Sequence, residues 1–199
     1  IRSSEQATAY RKASASRFVM DRGISYGQID GIAGAALMRQ PSHDGLARMP
    51  YPSGGALYSV QAIVCRTSES LEGWPSPESQ ALQVLAQSRV FEPLDVDARP
   101  AELLQVLSGG LQESLGEPSF AIVYAMFLDK ALFKYRYRGY RLAMLEAGSM
   151  YQRVTQEVDA RGLATRVWAG FSDWHVASIL GLDASHVLPL VVQFVGSKA

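Results

Sequence analysis

The sequence has little cysteine, no excess of either charge and no long apolar run. Cys65 is the single cysteine among 199 residues, so an internal disulfide is impossible and a cysteine-based metal site is disfavoured. The 19 basic side chains balance the 19 acidic ones, so no overall field draws the chain to nucleic acid or to a membrane. No apolar run reaches the roughly 20 residues of a membrane span. The single cysteine favours a reducing cytoplasm.

Patterns for metal binding are missing as well. His43, His175 and His186 lie far apart without the spacing of metal ligands. Cys65 lies in an apolar, strand-like stretch, and a cysteine in such a stretch is more often an inert core thiol than a nucleophile. We therefore predict no metal site. Because the chain begins at Ile1 without a signal-peptide pattern, we also expect a further segment upstream.

The apolar spacing predicts alternating helices and strands. The predicted helices begin after Ser25 (with Gln28 in a capping box), cover about 78–89, follow Pro100, extend from about Tyr140 to Val158, and follow Ser172. The predicted strands are 120–128 and 187–195, with a further strand-like stretch at 62–65 inside a segment, 56–66, that fits helix or strand. We predict a single domain over residues 1–199 with an α+β fold, in which helices pack on a central, mostly antiparallel sheet.

The turn Pro52-Ser53-Gly54-Gly55 is the first candidate site. Two adjacent glycines let a backbone approach a flat ligand closely, while the serine offers a hydroxyl and the backbone offers amides. More often, however, such a segment is an ordinary turn that precedes a helix or a strand.

The second candidate is the segment 134–141, which holds four cations and three phenols within eight residues. It fits a solvated helix face, a short patch for phosphates and stacked bases, or an acid/base pair of Lys134 and Tyr135, since an ammonium stabilises a nearby phenolate. A third segment, 166–171, fits either an ordinary strand and turn or a stretch beside a cofactor.

Taken together, these segments resemble the flavin-dependent azoline dehydrogenases of the nitroreductase-like superfamily, in particular the dehydrogenase subunits of microcin B-type thiazole/oxazole synthetases. The matching segments are 50–58, 131–141, 148–152 and 166–170, of which Ala-Leu-Phe-Lys-Tyr-Arg-Tyr-Arg-Gly-Tyr-Arg at 131–141 matches most closely. The resemblance extends from about Arg48 to Gly196. Arg153 departs from the family pattern, which has asparagine after the position of Gln152.

The resemblance implies a flavoreductase fold with non-covalent FMN. Its Pro-Ser-Gly-Gly segment lies against the isoalloxazine ring, and an N-terminal Arg/Ser cluster binds the phosphate, for which guanidinium and hydroxyl donors are chemically suited. The FMN contacts that it implies are Arg11, Ser14, Arg48, Pro52, Ser53, Gly54, Gly55, Gln152, Arg166, Trp168, Ala169 and Gly170. Lys134 and Tyr135 correspond to a pair regarded as catalytic in the family.

The implied reaction converts thiazolines and oxazolines of a precursor peptide to thiazoles and oxazoles, as in azole-modified bacteriocins. A base must accept the Cα proton while flavin accepts a hydride, and either Tyr135 or Lys134 suits the role of base. The resemblance implies cyclodehydratase partners and a homodimer contact around the flavin. The alternatives are an oxidase domain of a nonribosomal peptide synthetase, an NAD(P)H-dependent nitro or quinone reductase, and a silent peptide-docking subunit.

Overall fold

A computed structural model describes residues 12–20, 24–41 and 45–199. Its strands are β1 (Phe18–Val19), β2 (Val60–Arg66), β3 (Ala81–Leu85), β4 (Val90–Pro93), β5 (Phe120–Phe127), β6 (Ala164–Trp168) and β7 (Val187–Lys198). Its helices are α1 (Tyr26–Ala36), α2 (Pro100–Leu107), α3 (Gln112–Leu115), α4 (Leu128–Tyr135), α5 (Tyr137–Ala160) and α6 (Asp173–Ile179). Within these residues, no helix is both long and apolar enough to cross a membrane.

The seven strands form one sheet with the order β1-β7-β5-β2-β3-β4, and β6 also pairs with β7. Every named strand pair in the described part of the chain is antiparallel. The predicted α+β class and antiparallel sheet are therefore confirmed.

Helices cover both faces of this sheet. α1 and α5 pack together on one face, while α2 and α6 pack together on the other. Along β5, alternate side chains such as Tyr124 and Val123 enter the two cores in turn. This explains why 120–128 is continuously apolar, because a strand that is buried on both faces has no solvent-facing positions for polar side chains. Burying one large side chain of this kind contributes roughly 1.5–3 kcal/mol.

Local signals in the sequence locate most of the helix ends. The backbone N–H of Ser25 donates to Oε1 of Gln28 at 3.0 Å, which starts α1. Ser172 caps α6 by accepting from the N–H of His175. Gly162, just beyond the end of α5, has a φ of 74°, a conformation that glycine adopts at little cost. These predicted helices are confirmed.

The helix predicted over 78–89 is wrong. The segment forms β3 and then the start of a hairpin to β4, with Leu82 opposite Pro93 and Leu85 opposite Val90. The apolar spacing of 78–89 does not distinguish a helix from a strand. The hydrogen bonds of β3 to β2, which extend the central sheet, decide for a strand. Arg89 adopts a left-handed φ of 59° where the hairpin turns.

Candidate functional site

The turn after Tyr51 is built from unusual backbone conformations. Gly54–Ala56 forms a single 3-10 turn in which Gly55 has a φ of 63°. Ala56 and Tyr58 are also left-handed, with φ values of 54° and 49°. Such conformations cost about 1–3 kcal/mol each for residues with a side chain, and they cluster at ligand sites. The turn is therefore strained and must be held by its surroundings.

Glu146, on α5, holds this turn. The hydroxyl of Ser53 donates to its Oε2 at 2.5 Å, and the N–H of Val60 donates to its Oε1 at 3.0 Å. The N–H of Tyr58 in turn donates to the hydroxyl oxygen of Ser53 at 2.8 Å. Since the hydroxyl proton of Ser53 is directed to Glu146, the turn presents backbone, rather than this hydroxyl, to a ligand.

The carboxylate of Glu146 is buried, with 2% of its residue surface exposed. Burial raises the pKa of Glu146 above its ordinary value, against the hydrogen bonds from Ser53, Val60 and Ser59 and the charge of Lys130, which lower it. Sequence reasoning missed this residue. The available signal was its place in the apolar stripe of α5, between Ala143 and Met150.

The structure brings Tyr135 onto the glycine turn. A Cβ added at Gly55 would meet the hydroxyl oxygen of Tyr135, and one added at Gly54 would lie 2.7 Å from Cδ1 of Leu142. Lys134 places its Nζ 5.4 Å from the centroid of the Tyr135 ring. Two segments that are about 80 positions apart in the sequence, and were predicted separately, thus form one site.

A sharp elbow between two helices positions Tyr135. α4 ends at Tyr135, Arg136 has a φ of 49°, and α5 begins at Tyr137. Gly139 packs directly on the carbonyl of Ala131, where no side chain would fit. The elbow therefore fixes the direction of Tyr135 relative to α5 and the glycine turn.

A cavity of about 200 Å³ lies further along α5, beside β6. Ser14 and Gln152, both predicted to contact FMN, line it together. Polar residues that were not predicted line it as well: Lys12, Thr155, Asp159 and Thr165. The N–H of Ala15 donates to the carbonyl of Thr165 at 2.9 Å, which attaches the N-terminal segment to β6. Arg11 lies outside the described residues.

α5 connects the two parts of this candidate site. Glu146 at the glycine turn and Gln152 at the cavity are six positions apart, which corresponds to a rise of about 9 Å along a helix. One helix therefore carries a residue at each part of the candidate site.

Alternate residues of β6 point to opposite faces of the sheet, and the predicted Arg166 and Trp168 lie on the face away from the cavity. Thr165 and Val167 face the cavity beside α5, whereas Trp168 packs into the core on the other side of the sheet. The guanidinium of Arg166 lies 5.6 Å from the Trp168 ring and donates to the carbonyl of Ser16 at 3.1 Å. The side chains of Arg166 and Trp168 are therefore not brought to the cavity that Ser14 and Gln152 line.

The remaining predicted contacts lie at the edges of these features. Ala169 and Gly170 are exposed; the Trp168 ring covers Gly170. Arg48 is exposed and pairs through its backbone with Gln40, at 2.7 and 2.9 Å. Its neighbour Met49 lines a second cavity of about 170 Å³ with Tyr51, Tyr58, Lys130 and Met150 among others.

The family assignment comes from comparison with known proteins. The nitroreductase family profile matches residues 9–196. The chain belongs to the nitroreductase family. Proteins of this family are flavoproteins.

Similar proteins refine this assignment. The chain is 48% identical to the microcin B17-processing protein McbC of Escherichia coli over 152 residues, 76% of this chain and 55% of that protein. It matches a chain of the E. coli microcin synthetase McbBCD complex, solved with truncated pro-MccB17 bound, at a TM-score of 0.92 and 42% identity, covering all of this chain and 73% of that one. The NADPH:FMN oxidoreductase of Vibrio harveyi shares the fold, at a TM-score of 0.59 and 15% identity over 94% of this chain and 65% of that one.

This nitroreductase-family chain also exposes an apolar surface around its elbow, which we call the α4–α5 surface. Its large side chains are Leu132, Phe133, Tyr137, Tyr140, Met144 and Leu145. Phe133 and Tyr137 are 86% and 94% exposed. Lys134, Arg136, Arg138 and Arg141 interleave with them. The segment 134–141 is thus an exposed, mixed basic and apolar surface next to the glycine turn.

The single cysteine is placed as the sequence predicted. Cys65 is a buried thiol in β2, and burial raises its pKa.

Proposed function

We propose that this protein is an FMN-dependent dehydrogenase that oxidises thiazoline and oxazoline rings of a ribosomally made precursor peptide to thiazoles and oxazoles. The observation that carries the proposal is the contact of Tyr135 with Gly55, because it places a candidate base on the turn proposed to receive the flavin ring. The 48% identity to the microcin B17-processing protein McbC supports the choice of substrate.

FMN suits the residues around the two parts of the site. The backbone of Pro52, Ser53, Gly54 and Gly55 would meet the isoalloxazine ring, since two glycines leave room for a flat surface. Ser14 and Gln152 would bind the polar tail from the cavity beside β6. Arg11 would complete the phosphate site through charge-assisted hydrogen bonds. Arg48, Arg166, Trp168, Ala169 and Gly170 stay predicted FMN contacts, although the side chains of Arg166 and Trp168 do not line the cavity beside α5.

The chemistry requires two hydrogens to leave the azoline ring. The Cα–H bond breaks with its proton passing to a base, and a Cβ–H bond breaks as its hydrogen leaves with both bonding electrons. FMN, when bound, would supply the hydride acceptor for the Cβ hydrogen, with dioxygen as the final electron acceptor. Tyr135 accepts the proton as phenolate with Lys134 stabilising that charge, or Lys134 accepts it directly.

Partner subunits follow from the same proposal. The substrate is a precursor peptide already cyclised to azolines, so a cyclodehydratase must act before this protein, and we propose that the two work within one synthetase complex. We further propose that a second copy of the chain covers the α4–α5 surface, because its exposed apolar side chains lie next to the glycine turn.

The test uses the purified full-length protein with FMN and a peptide bearing azoline rings. We expect a bound flavin spectrum and a mass loss of two hydrogens per ring under air. If the protein retains no FMN when FMN is supplied in excess, the proposal is contradicted. Steady consumption of NAD(P)H without azole formation would instead support a nitro or quinone reductase.

A further inference from the structure

The segment between Ser53 and Val60 is held in a conformation that it would not keep alone. Gly55, Ala56 and Tyr58 are all left-handed, with φ values of 63°, 54° and 49°. Only the first of them is a glycine, for which this region carries little penalty. Contacts from outside the segment must therefore maintain it.

A single side chain supplies these contacts at both ends of the segment. Glu146 accepts from the hydroxyl of Ser53 at 2.5 Å, where the turn begins, and from the N–H of Val60 at 3.0 Å, where β2 begins. The N–H of Tyr58 reaches the same oxygen of Ser53 at 2.8 Å. The carboxylate therefore joins the two ends of the segment that contains Gly54 and Gly55.

The environment of Glu146 is poorly suited to a charge. It is buried at 2% exposure, and among the described residues the ionisable groups that act on it are Lys130 of α4 and the buried phenol of Tyr51. Burial raises the pKa of Glu146 despite its hydrogen bonds. Because burying a carboxylate carries a desolvation cost, its hydrogen bonds to Ser53 and Val60 are the feature that its position has to explain.

We propose that Glu146 is a positioning residue for flavin binding: through Ser53 and Val60 its carboxylate keeps the Pro52–Gly55 backbone in the shape that receives the isoalloxazine ring. The inference rests on the proposed function, since it presumes that this turn binds FMN. Glu146 itself touches neither the cofactor nor the peptide, and it acts through the turn.

The experiment measures FMN affinity of the full-length protein by fluorescence titration, with thermal unfolding of each flavin-free variant. Glu146→Gln keeps the size of the side chain and one acceptor oxygen. It replaces the oxygen that accepts from the Ser53 hydroxyl with an amide NH₂, which cannot accept that hydrogen bond. We expect the FMN dissociation constant to rise about tenfold or more, as for loss of a hydrogen bond to a charged group. Ser53→Ala removes the same link from the other side and should act in the same direction, and the double variant should be no worse than Glu146→Gln alone.

Glu157→Gln is the matched control, because Glu157 lies on the same helix and pairs at its surface with Arg161; its FMN affinity should equal that of the wild type. An unchanged affinity in a folded Glu146→Gln protein overturns the inference. If that variant does not fold, the affinity of Ser53→Ala decides. A wild type that binds no FMN would instead reject the proposed function, so the two failures are distinguishable.

Discussion

Lys134 and Tyr135 are the single residues that test the proposed chemistry most directly. If they handle the Cα proton, Lys134→Ala and Tyr135→Phe should keep the fold and the FMN content. Azole formation should fall by roughly 100- to 10,000-fold, as is typical for loss of a general base. Mass spectrometry would detect the accumulating azolines. The double variant should be scarcely slower than the slower single one, because the two residues act as a unit. Full azole yield from the flavin-loaded double variant would remove the pair from the mechanism.

Glu146 gives stability a pH dependence whose sign follows from burial. Its folded-state pKa is raised above the ordinary 4.5 by burial, so the folded protein binds this proton more tightly than the unfolded chain does. That contribution is fully present below about pH 4.5 and is lost as the pH rises through the folded pKa. We expect the unfolding free energy of wild type, relative to Glu146→Gln, to decrease over this interval and then level off. Denaturant unfolding at a series of pH values measures it, and a relative stability that increases with pH would contradict it.

The same residue shows what the sequence could and could not predict. Local patterning gave the glycine turn and Tyr135 as separate candidates, and only the family resemblance assigned both to one site. Glu146 was missed, although it occupies an apolar position of α5. A periodic pattern identifies the buried face of a helix, but it does not say which distant backbone N–H groups a carboxylate on that face will meet.

Among the structural elements, the glycine turn depends on the absence of a side chain at Gly55. Gly55→Ala should cost about 1–2 kcal/mol from the left-handed backbone, and its Cβ should also displace the hydroxyl of Tyr135. We therefore expect slower azole formation together with a lower melting temperature.

Gly73→Ala provides the matched comparison for this turn. Gly73 has a similar φ of 68°, but a Cβ there would meet nothing within 4 Å. It should lose a similar amount of stability while azole formation per folded molecule stays unchanged. Equal activity of the two variants would show that the contact between Gly55 and Tyr135 has no role in the reaction.

Strands were harder to predict than helices because their partners are remote in the sequence. The ends of α1 and α6 follow from capping residues within the same few positions. β3 depends on its pairing with β2, about 20 residues away, and the segment 78–89 that contains it was mistaken for a helix. The alternation along β6 likewise places Arg166 and Trp168 on the opposite face from Thr165. A sequence motif that covers consecutive residues does not show this separation.

For the protein as an assembly, the α4–α5 surface predicts a homodimer. A charge introduced at Phe133, which is 86% exposed, should disrupt apolar packing between two copies. We expect Phe133→Glu to halve the mass measured by light scattering and to lower FMN retention. Trp174→Glu is the control, since Trp174 is also exposed, at 65%, but lies on α6 against the other face of the sheet. A dimer that persists in Phe133→Glu, or that Trp174→Glu dissociates, would place the contact elsewhere.

The position of β7 has a consequence for the order of events in folding. β6 has β7 as its strand partner in the described part of the chain, yet β7 follows all the other strands in the sequence. The glycine turn can form once β2, β5 and α5 have assembled, whereas the wall of the cavity bearing Thr165 and Val167 must wait for β7. Pulse-labelled hydrogen exchange should therefore show the amides of β6 protected no earlier than those of β7. Earlier protection of β6 would contradict this order. The end of the proposed flavin site that would take the polar tail thus cannot be complete until the last strand of the sequence has joined the sheet.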